Sequence, residues 1–399
     1  MSLSNTPSSE RVHIGFFGLR NAGKSSLVNA VTGQELSVVS DVLGTTTDPV
    51  KKAMELLPLG PVVIIDTPGF DDTGTLGEMR VKKTRKVLAS VDIAVLVVDA
   101  QKGISDDDET LMGLFNERKI PFVIAYNKSD IAQISTESKN EIAVSAVSGN
   151  NINRLKELLG TLLKDKEEKF ILADLVNEGD TVVLVTPIDE SAPKGRLILP
   201  QQQTLRELLD LHCKPMLCQP QELKSTIENF KVKPKLVVTD SQVFGAVSKD
   251  VPEDIDLTSF SILFARYKGD LEALIKGAAT LKKLKDGDKV LISEGCTHHR
   301  QCGDIGTVKL PKWIKDFTGK EIEFSFTSGG DFPEDLSDYA LVVHCGGCML
   351  NNREMAYRIN SAKAEGTPIV NYGILIAHVH GILKRSLSPF KNLNALLEE

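Results

Sequence analysis

Short apolar runs of strand length alternate with stretches of helical spacing, and the alternation begins afresh three times along the chain. In the first stretch, residues 13–18, 62–65 and 122–126 are strand-like runs, each closed by a polar turn, and SLVNAVTG after residue 24 has helical spacing. A helical, then charged, stretch over 154–169 closes it. The second stretch predicts strands over 181–185, 235–239 and 259–264 and helices over 203–211 and 242–248. The third predicts helices over 270–285, 312–317 and 352–363 and strands over 289–293, 321–326, 339–344 and 368–372. Strands alternating with helices predict parallel sheets with helical crossovers, so the expected fold class is α/β. Three domains are expected, over 1–169, 170–265 and 266–399.

Length supports that division, since 399 residues at about 100–200 per domain give two to four. No apolar run approaches the ~20 residues of a membrane span. The polar opening MSLSNTPSSER is unlike a secretory signal, so the expected location is the cytoplasm. Charge adds a second exclusion. Residues 1–170 carry 20 basic and 23 acidic residues, 171–265 carry 9 and 14, and 266–399 carry 18 and 17. None of the three has the basic excess that phosphate-backbone binding requires, so no nucleic-acid partner is expected. Six cysteines in such a compartment are not a disulfide framework.

The turn after the first strand reads Gly18-Leu-Arg-Asn21-Ala22-Gly23-Lys24-Ser25, with Ser26 next, between a strand and a helix. There the backbone N–H groups cradle phosphates, Lys24 reaches the β and γ phosphates, and Ser25 ligates Mg²⁺. Asp66-Thr-Pro-Gly69 ends the next apolar run, placing a carboxylate at the metal and a glycine N–H at the γ phosphate. Asn127-Lys128-Ser-Asp130 ends a third, and its carboxylate can accept both N–H groups of a guanine edge, which adenine lacks. Ser145-Ala146 then offers a backbone N–H to the guanine carbonyl, and Gly44-Thr45-Thr46-Thr47-Asp48 is a loop suited to switching with γ phosphate. The expected fold is a P-loop GTPase (Ras-like) domain followed by two smaller parallel-sheet α/β units. Lys24, Ser25, Thr46, Asp66 and Gly69 are its expected hydrolytic residues.

The stretch resembles the TrmE-Era-like group of GTPases, through GTTTD and the asparagine in the phosphate loop. That resemblance implies that Asn21 helps hold an activating K⁺ beside the phosphates. Phe70 stands where Ras-like enzymes carry a water-orienting glutamine, so hydrolysis is expected to be slow without K⁺, dimerisation or a partner.

Two strands of the last stretch run directly into cysteines: 289–293 leads to Cys296-Thr-His298-His299, and 339–344 leads to His344-Cys345-Gly-Gly-Cys348. Ligands of an open parallel sheet gather outside the carboxyl ends of its strands, so the two groups are expected to meet although Cys296 and Cys345 lie far apart in the chain. A helix start just after Cys348 is expected to lower thiolate pKa. Three thiolates beside histidines suit zinc or an iron–sulfur cluster. His298 and His344 are alternatives as ligand or support, and Cys302 is either an extra ligand or, as favoured here, a bystander. His378 and His380 are core or cap residues near the same edge, and Cys213 and Cys218 are buried thiols despite nearby His212. The middle stretch, without a catalytic constellation, is expected to mediate interactions.

With Cys296-x-His298 and His344-Cys345-Gly-Gly-Cys348 joined to the GTPase motifs, the chain resembles the HydF family, GTPase scaffolds of iron-only (FeFe) hydrogenase maturation. The resemblance implies a GTPase domain, a dimerisation domain giving a homodimer, and a domain holding a 4Fe–4S cluster on Cys296, Cys345 and Cys348. It also implies GTP/GDP turnover, a diiron subcluster precursor as cargo, and radical-SAM maturases and apo-hydrogenase as partners. The alternative is a zinc-containing TrmE-Era-like GTPase of tRNA modification or ribosome assembly.

Overall fold

The computed structural model describes residues 6–35, 49–70, 83–136, 138–162, 169–188, 197–295 and 304–397. The chain divides into two compact units, Met1–Glu167 and Glu168–Glu399. The first is built on a six-stranded sheet of order β2-β3-β1-β4-β5-β6. Its strands are β1 Val12–Phe17, β2 Val50–Leu56, β3 Gly60–Asp66, β4 Ile93–Asp99, β5 Phe122–Asn127 and β6 Glu141–Ala143. All neighbours run parallel except β2 on β3. Successive residues face opposite sides of a sheet, so Ile14, Phe16, Val62 and Ile64 enter one core while Phe17, Val63 and Ile65 enter the other. Helices α1 Lys24–Thr32 and α2 Asp106–Glu117 connect strands, and α3 Ile152–Thr161 follows β6. The charged, largely exposed edge strand β2 has no strand-like alternation and was not among the expected elements.

The second unit carries two four-stranded parallel sheets, of orders β10-β9-β7-β8 and β12-β11-β13-β14. The first of these uses β7 Thr181–Val185, β8 Lys214–Cys218, β9 Leu236–Thr239 and β10 Asp256–Ser259. The other uses β11 Lys289–Glu294, β12 Glu323–Ser328, β13 Leu341–His344 and β14 Ile369–Asn371. One expectation needs correction. Residues 260–264 form no strand: Ser259, the last residue of β10, caps a helix, α4 Phe260–Lys268, through a hydrogen bond from the Ile262 N–H to its hydroxyl. The run is apolar all round because the helix is wedged between two cores, Leu263 and Phe264 facing one and Ile262 and Ala265 the other. Pro215 lies within β8, at a sheet edge where a missing N–H is tolerated.

Packing closes the middle sheet where β9 and β10 end. Its carboxyl edge, marked by Ser241 and Ser261 hydrogen-bonded to each other, is covered by α5 Tyr372–Val379. A Cβ on Gly373 would lie 2.2 Å from the Ser261 Cβ, so only glycine allows this approach. Among the described residues no helix is long and apolar enough to cross a membrane.

Candidate functional site

In the first unit β1 lies between β3 and β4, and the chain leaves its carboxyl end into the phosphate loop. Such a switch point is where open α/β sheets bind ligands. Gly23 precedes α1 with φ of 86°, and a Cβ there would lie 2.3 Å from Asn127 Nδ2. No side chain caps the helix, so the first N–H groups, those of Lys24, Ser25 and Ser26 among them, face the loop with the positive end of the helix dipole. Asn21, exposed at the loop tip, adopts φ of 61°.

Lys24 is buried, and its ammonium donates to the carbonyls of Gly18 at 3.0 Å and Leu19 at 2.7 Å. Burial lowers its pKa to about 8, with the Asp66 carboxylate pulling the other way. Ser25 Oγ donates to Asp66 Oδ2 at 2.7 Å, while Asp66 Oδ1 is buried with no hydrogen-bond partner. A buried, unpaired carboxylate oxygen beside a serine hydroxyl is the donor set that Mg²⁺ takes. Gly69 lies against Arg20 of the loop, and the Phe70 N–H donates to the Gly18 carbonyl at 3.1 Å. The Phe70 ring is in the core, so it offers no group to water.

Asn127 joins the loop to the segment after β6. Its Nδ2 donates to the Ala22 carbonyl at 3.0 Å and its Oδ1 accepts from the Ala146 N–H at 3.1 Å. Lys128 pairs with Asp99 at 2.6 Å. Burial raises the Asp99 pKa, but the hydrogen bonds from Lys128 and the Gln101 N–H outweigh it and hold the carboxyl below the usual range. Asp130 is exposed, and the buried Ser145 Oγ accepts from the Ser148 N–H. The sequence-predicted residues Gly18, Asn21–Ser26, Asp66, Gly69, Asn127, Lys128, Asp130, Ser145 and Ala146 thus gather at the carboxyl ends of β1, β3, β5 and β6, in the last strand residues, the loops that follow and the first turn of α1. Thr45 and Thr46, with the rest of 44–48, lie outside the described residues.

The last sheet repeats the arrangement. β11 lies between β12 and β13, with Ser293 in register with His344. The Cys345 N–H donates to the Ser293 carbonyl at 3.0 Å. Cys345 Sγ in turn accepts from the N–H groups of Gly295 at 3.0 Å and Gly347 at 3.4 Å. Two amide donors aimed at one sulfur suit a thiolate ligand. Cys348 is exposed in the turn that follows. Cys296, His298, His299 and Cys302 lie outside the described residues, although Gly295, bonded to the Cys345 sulfur, immediately precedes Cys296. Among the described residues no three His, Cys, Asp or Glu side chains are grouped to hold a metal ion.

His344 is fully buried with both ring nitrogens occupied. Nδ1 lies 2.7 Å from the Cys345 carbonyl and Nε2 lies 3.0 Å from Arg358 Nη1. A carbonyl can only accept and a guanidinium can only donate, so the ring is the neutral Nδ1–H tautomer and has no nitrogen left for a metal. Burial, then Arg358, lowers its pKa to about 3. Arg358 lies on α6 Asn352–Ala364, is itself 1% exposed, and also bonds the Gly329 carbonyl and Glu354. The expected helix start beside Cys348 is corrected: α6 begins at Asn352, and its first turn is capped by Asn351. The thiolate donors come from Gly295 and Gly347 instead.

Sequence reasoning missed Arg358, Lys268, Glu294 and Tyr372, none of which lies in a motif. Tyr372 donates to Glu294 at 3.2 Å, and burial, then Glu294 and Cys345, push its hydroxyl far above the usual range. His378 and His380 are not near this edge. The eight-residue helix α5 carries them to its far end, where they pack on Phe317 and Trp313. Cys213 and Cys218 are buried in separate cores, and burial raises both thiols.

Comparison with known proteins assigns all three segments. Residues 13–128 match the family described as 50S ribosome-binding GTPase, and the N-terminal unit is a GTPase domain. GTPase Der of Wolinella succinogenes is 36% identical over 163 residues, covering 37% of this chain and 34% of that protein. The tRNA modification GTPase MnmE of Carboxydothermus hydrogenoformans is 35% identical over 161 residues, covering 38% and 34%. GTPase Der of Nitratiruptor sp. is 26% identical over 259 residues, covering 54% and 56%. The chain therefore spans only about a third to just over half the length of these relatives. A crystal structure of Era in complex with MgGDPNP and nucleotides of 16S ribosomal RNA overlaps with a TM-score of 0.35 at 19% identity, over 52% of this chain and 91% of that one. The fold assignment rests on the strand order above. Residues 171–269 match the Hydrogen maturase F dimerization domain and residues 272–389 the Hydrogen maturase F tetramerization domain. With both of its characteristic segments present behind a GTPase domain, the chain belongs to the hydrogen maturase F family.

Proposed function

We propose that this protein is a GTP-hydrolysing scaffold of iron-only hydrogenase maturation, holding a 4Fe–4S cluster on Cys296, Cys345 and Cys348 and carrying the diiron subcluster precursor to apo-hydrogenase. The observation that carries this reading is the hydrogen bond from the Gly295 N–H to the Cys345 sulfur at the carboxyl edge of β11 and β13. It brings Gly295, the residue before Cys296, against the Cys345 sulfur, which supports one shared site for the two cysteine segments. A four-iron cluster with three protein thiolates keeps one iron open for exchange, which is the chemistry a carrier needs.

In the GTPase domain, Ser25 and Asp66 would hold Mg²⁺, Lys24 and the α1 N–H groups would bind phosphates, and Asp130 would select guanine. Asn21 would hold an activating K⁺. The GTP-ordered loop 44–48 would bias partner binding, which requires GTP and GDP forms to differ in affinity for maturases or hydrogenase. The domain boundaries we favour are 1–169, 170–265 and 266–399, with the middle domain joining a homodimer in the cytoplasm.

Metal analysis after anaerobic reconstitution tests the reading, with an EPR spectrum of the dithionite-reduced protein. Four irons per chain and a reduced cubane signal, both lost in Cys345→Ser, are expected. Stoichiometric zinc without iron would refute it and favour a zinc-containing GTPase of tRNA modification or ribosome assembly.

A further inference from the structure

Lys268 is the last residue of α4, in the middle part of the chain, yet its ammonium is buried under the cysteine loop of the last sheet. It donates to the carbonyls of Gly347 at 3.2 Å, Cys348 at 3.4 Å and Leu350 at 3.1 Å. Two residues earlier, Arg266 makes a bidentate pair with Asp174 and donates to the Ile171 carbonyl, which fixes this helix end to the start of the middle segment. Gly347 is therefore held at both ends: its carbonyl accepts from Lys268 and its N–H donates to Cys345 Sγ.

We propose that Lys268 is a positioning residue for the cysteine site, lent by the segment that matches the dimerization family to the segment that matches the tetramerization family. Holding the carbonyls of Gly347, Cys348 and Leu350 fixes the loop in which the Gly347 N–H donates to the Cys345 sulfur. The same ammonium sets a fixed positive charge beneath a centre that gains negative charge on reduction, and hydrogen bonds and net charge around the sulfurs are what set the potential of such centres. The middle segment thereby stabilises the reduced form of a centre whose ligands it does not supply. This rests on the cluster reading above.

The test uses the full chain, anaerobically reconstituted, with Lys268→Met, which keeps the stem and removes the charge, and Lys268→Arg, which restores it. In the Met variant the reduced form should be disfavoured about tenfold, a shift of about 59 mV to more negative potential for a one-electron couple. Iron loss to a chelator should accelerate by about the same factor. The Arg variant should recover most of the potential. An unchanged potential in the Met variant, or an equal shift in the Arg variant, would overturn the proposal by showing that the charge does not matter. If the Met variant retains no cluster, recovery by Arg supports the proposal and failure in both variants overturns it. Wild-type protein without iron refutes the underlying reading before any variant is made, so the two failures are distinct.

Discussion

The phosphate loop and the cysteine loop occupy equivalent places, each after the carboxyl end of a strand that lies between two parallel neighbours. They are built in opposite ways. Around phosphate, one contiguous stretch supplies the donors, from Gly18 through the uncapped start of α1, and Lys24 belongs to the same stretch. Around Cys345, one N–H comes from the end of β11, another from Gly347, and the nearby cation from α4 nearly eighty residues earlier. A diffusible anion needs a preformed nest, whereas a centre assembled on the protein needs distant thiols brought together and a charge environment set by what surrounds them. Contiguity makes the first site local and robust; the second depends on the whole unit.

The sharpest way to break this comparison is a double dissociation. Lys24→Ala should lower GTP hydrolysis by at least about a hundredfold, as loss of a transition-state donor does, and leave iron binding unchanged. Cys345→Ser should abolish iron binding and leave basal hydrolysis intact. Loss of both properties in either variant, assayed side by side, would deny that the sites are built independently.

Next in size is Arg358→Met, which removes a buried cation from His344, the Gly329 carbonyl and Glu354. Breaking a buried pair by deleting one partner costs about 3–5 kcal/mol. Trp313, the single tryptophan, lies in the second unit, so urea unfolding followed by its fluorescence reads that unit directly. A loss under about 1 kcal/mol would mean that the arginine is dispensable to the dependent site.

The third prediction concerns pH. Burial holds Lys24 near 8, so the cost of keeping it charged is present below that pH, and folding stability rises between about 8 and the unfolded value of 10.5. Bound phosphates favour the ammonium, so nucleotide binding should take up a proton above about 8. Affinity should fall by up to about tenfold per pH unit there, measured by titration calorimetry in buffers of different ionisation enthalpy. Affinity that is flat from pH 7 to 9.5 would show that Lys24 is not the group in question.

Smallest is the cation effect. Replacing K⁺ with Na⁺ should lower the steady-state hydrolysis rate several-fold if Asn21 helps hold the ion, and equal rates would remove Asn21 from that role.

Much of the first unit was legible because its chemistry is local. Strand, turn and helix follow one another within about twenty residues, and each turn carries its own reactive groups. That the strands leading to the two cysteine segments end side by side also followed from pattern, because parallel strands put their carboxyl ends on one edge. What failed was equally physical. Residues 259–264 have no polar face to reveal helical period, since α4 is buried on both sides. His344 gave no sign of being occupied, because Arg358 reaches it from another element.

Sequence alone therefore determined the strand–loop–helix at Gly18–Ser26, the turn at Asn127–Asp130, the repeated parallel sheets and the edge at which β11 and β13 end. Periodicity and short-range spacing encode these directly. Tertiary structure alone decided that the middle sheet's edge is closed by Gly373, that His344 is spent on Arg358 and the Cys345 carbonyl, and that Lys268 sits beneath the cysteine loop. Each is a contact between segments distant along the chain, and burial gives it force: out of water, a polar group must find its partner wherever the fold has placed one.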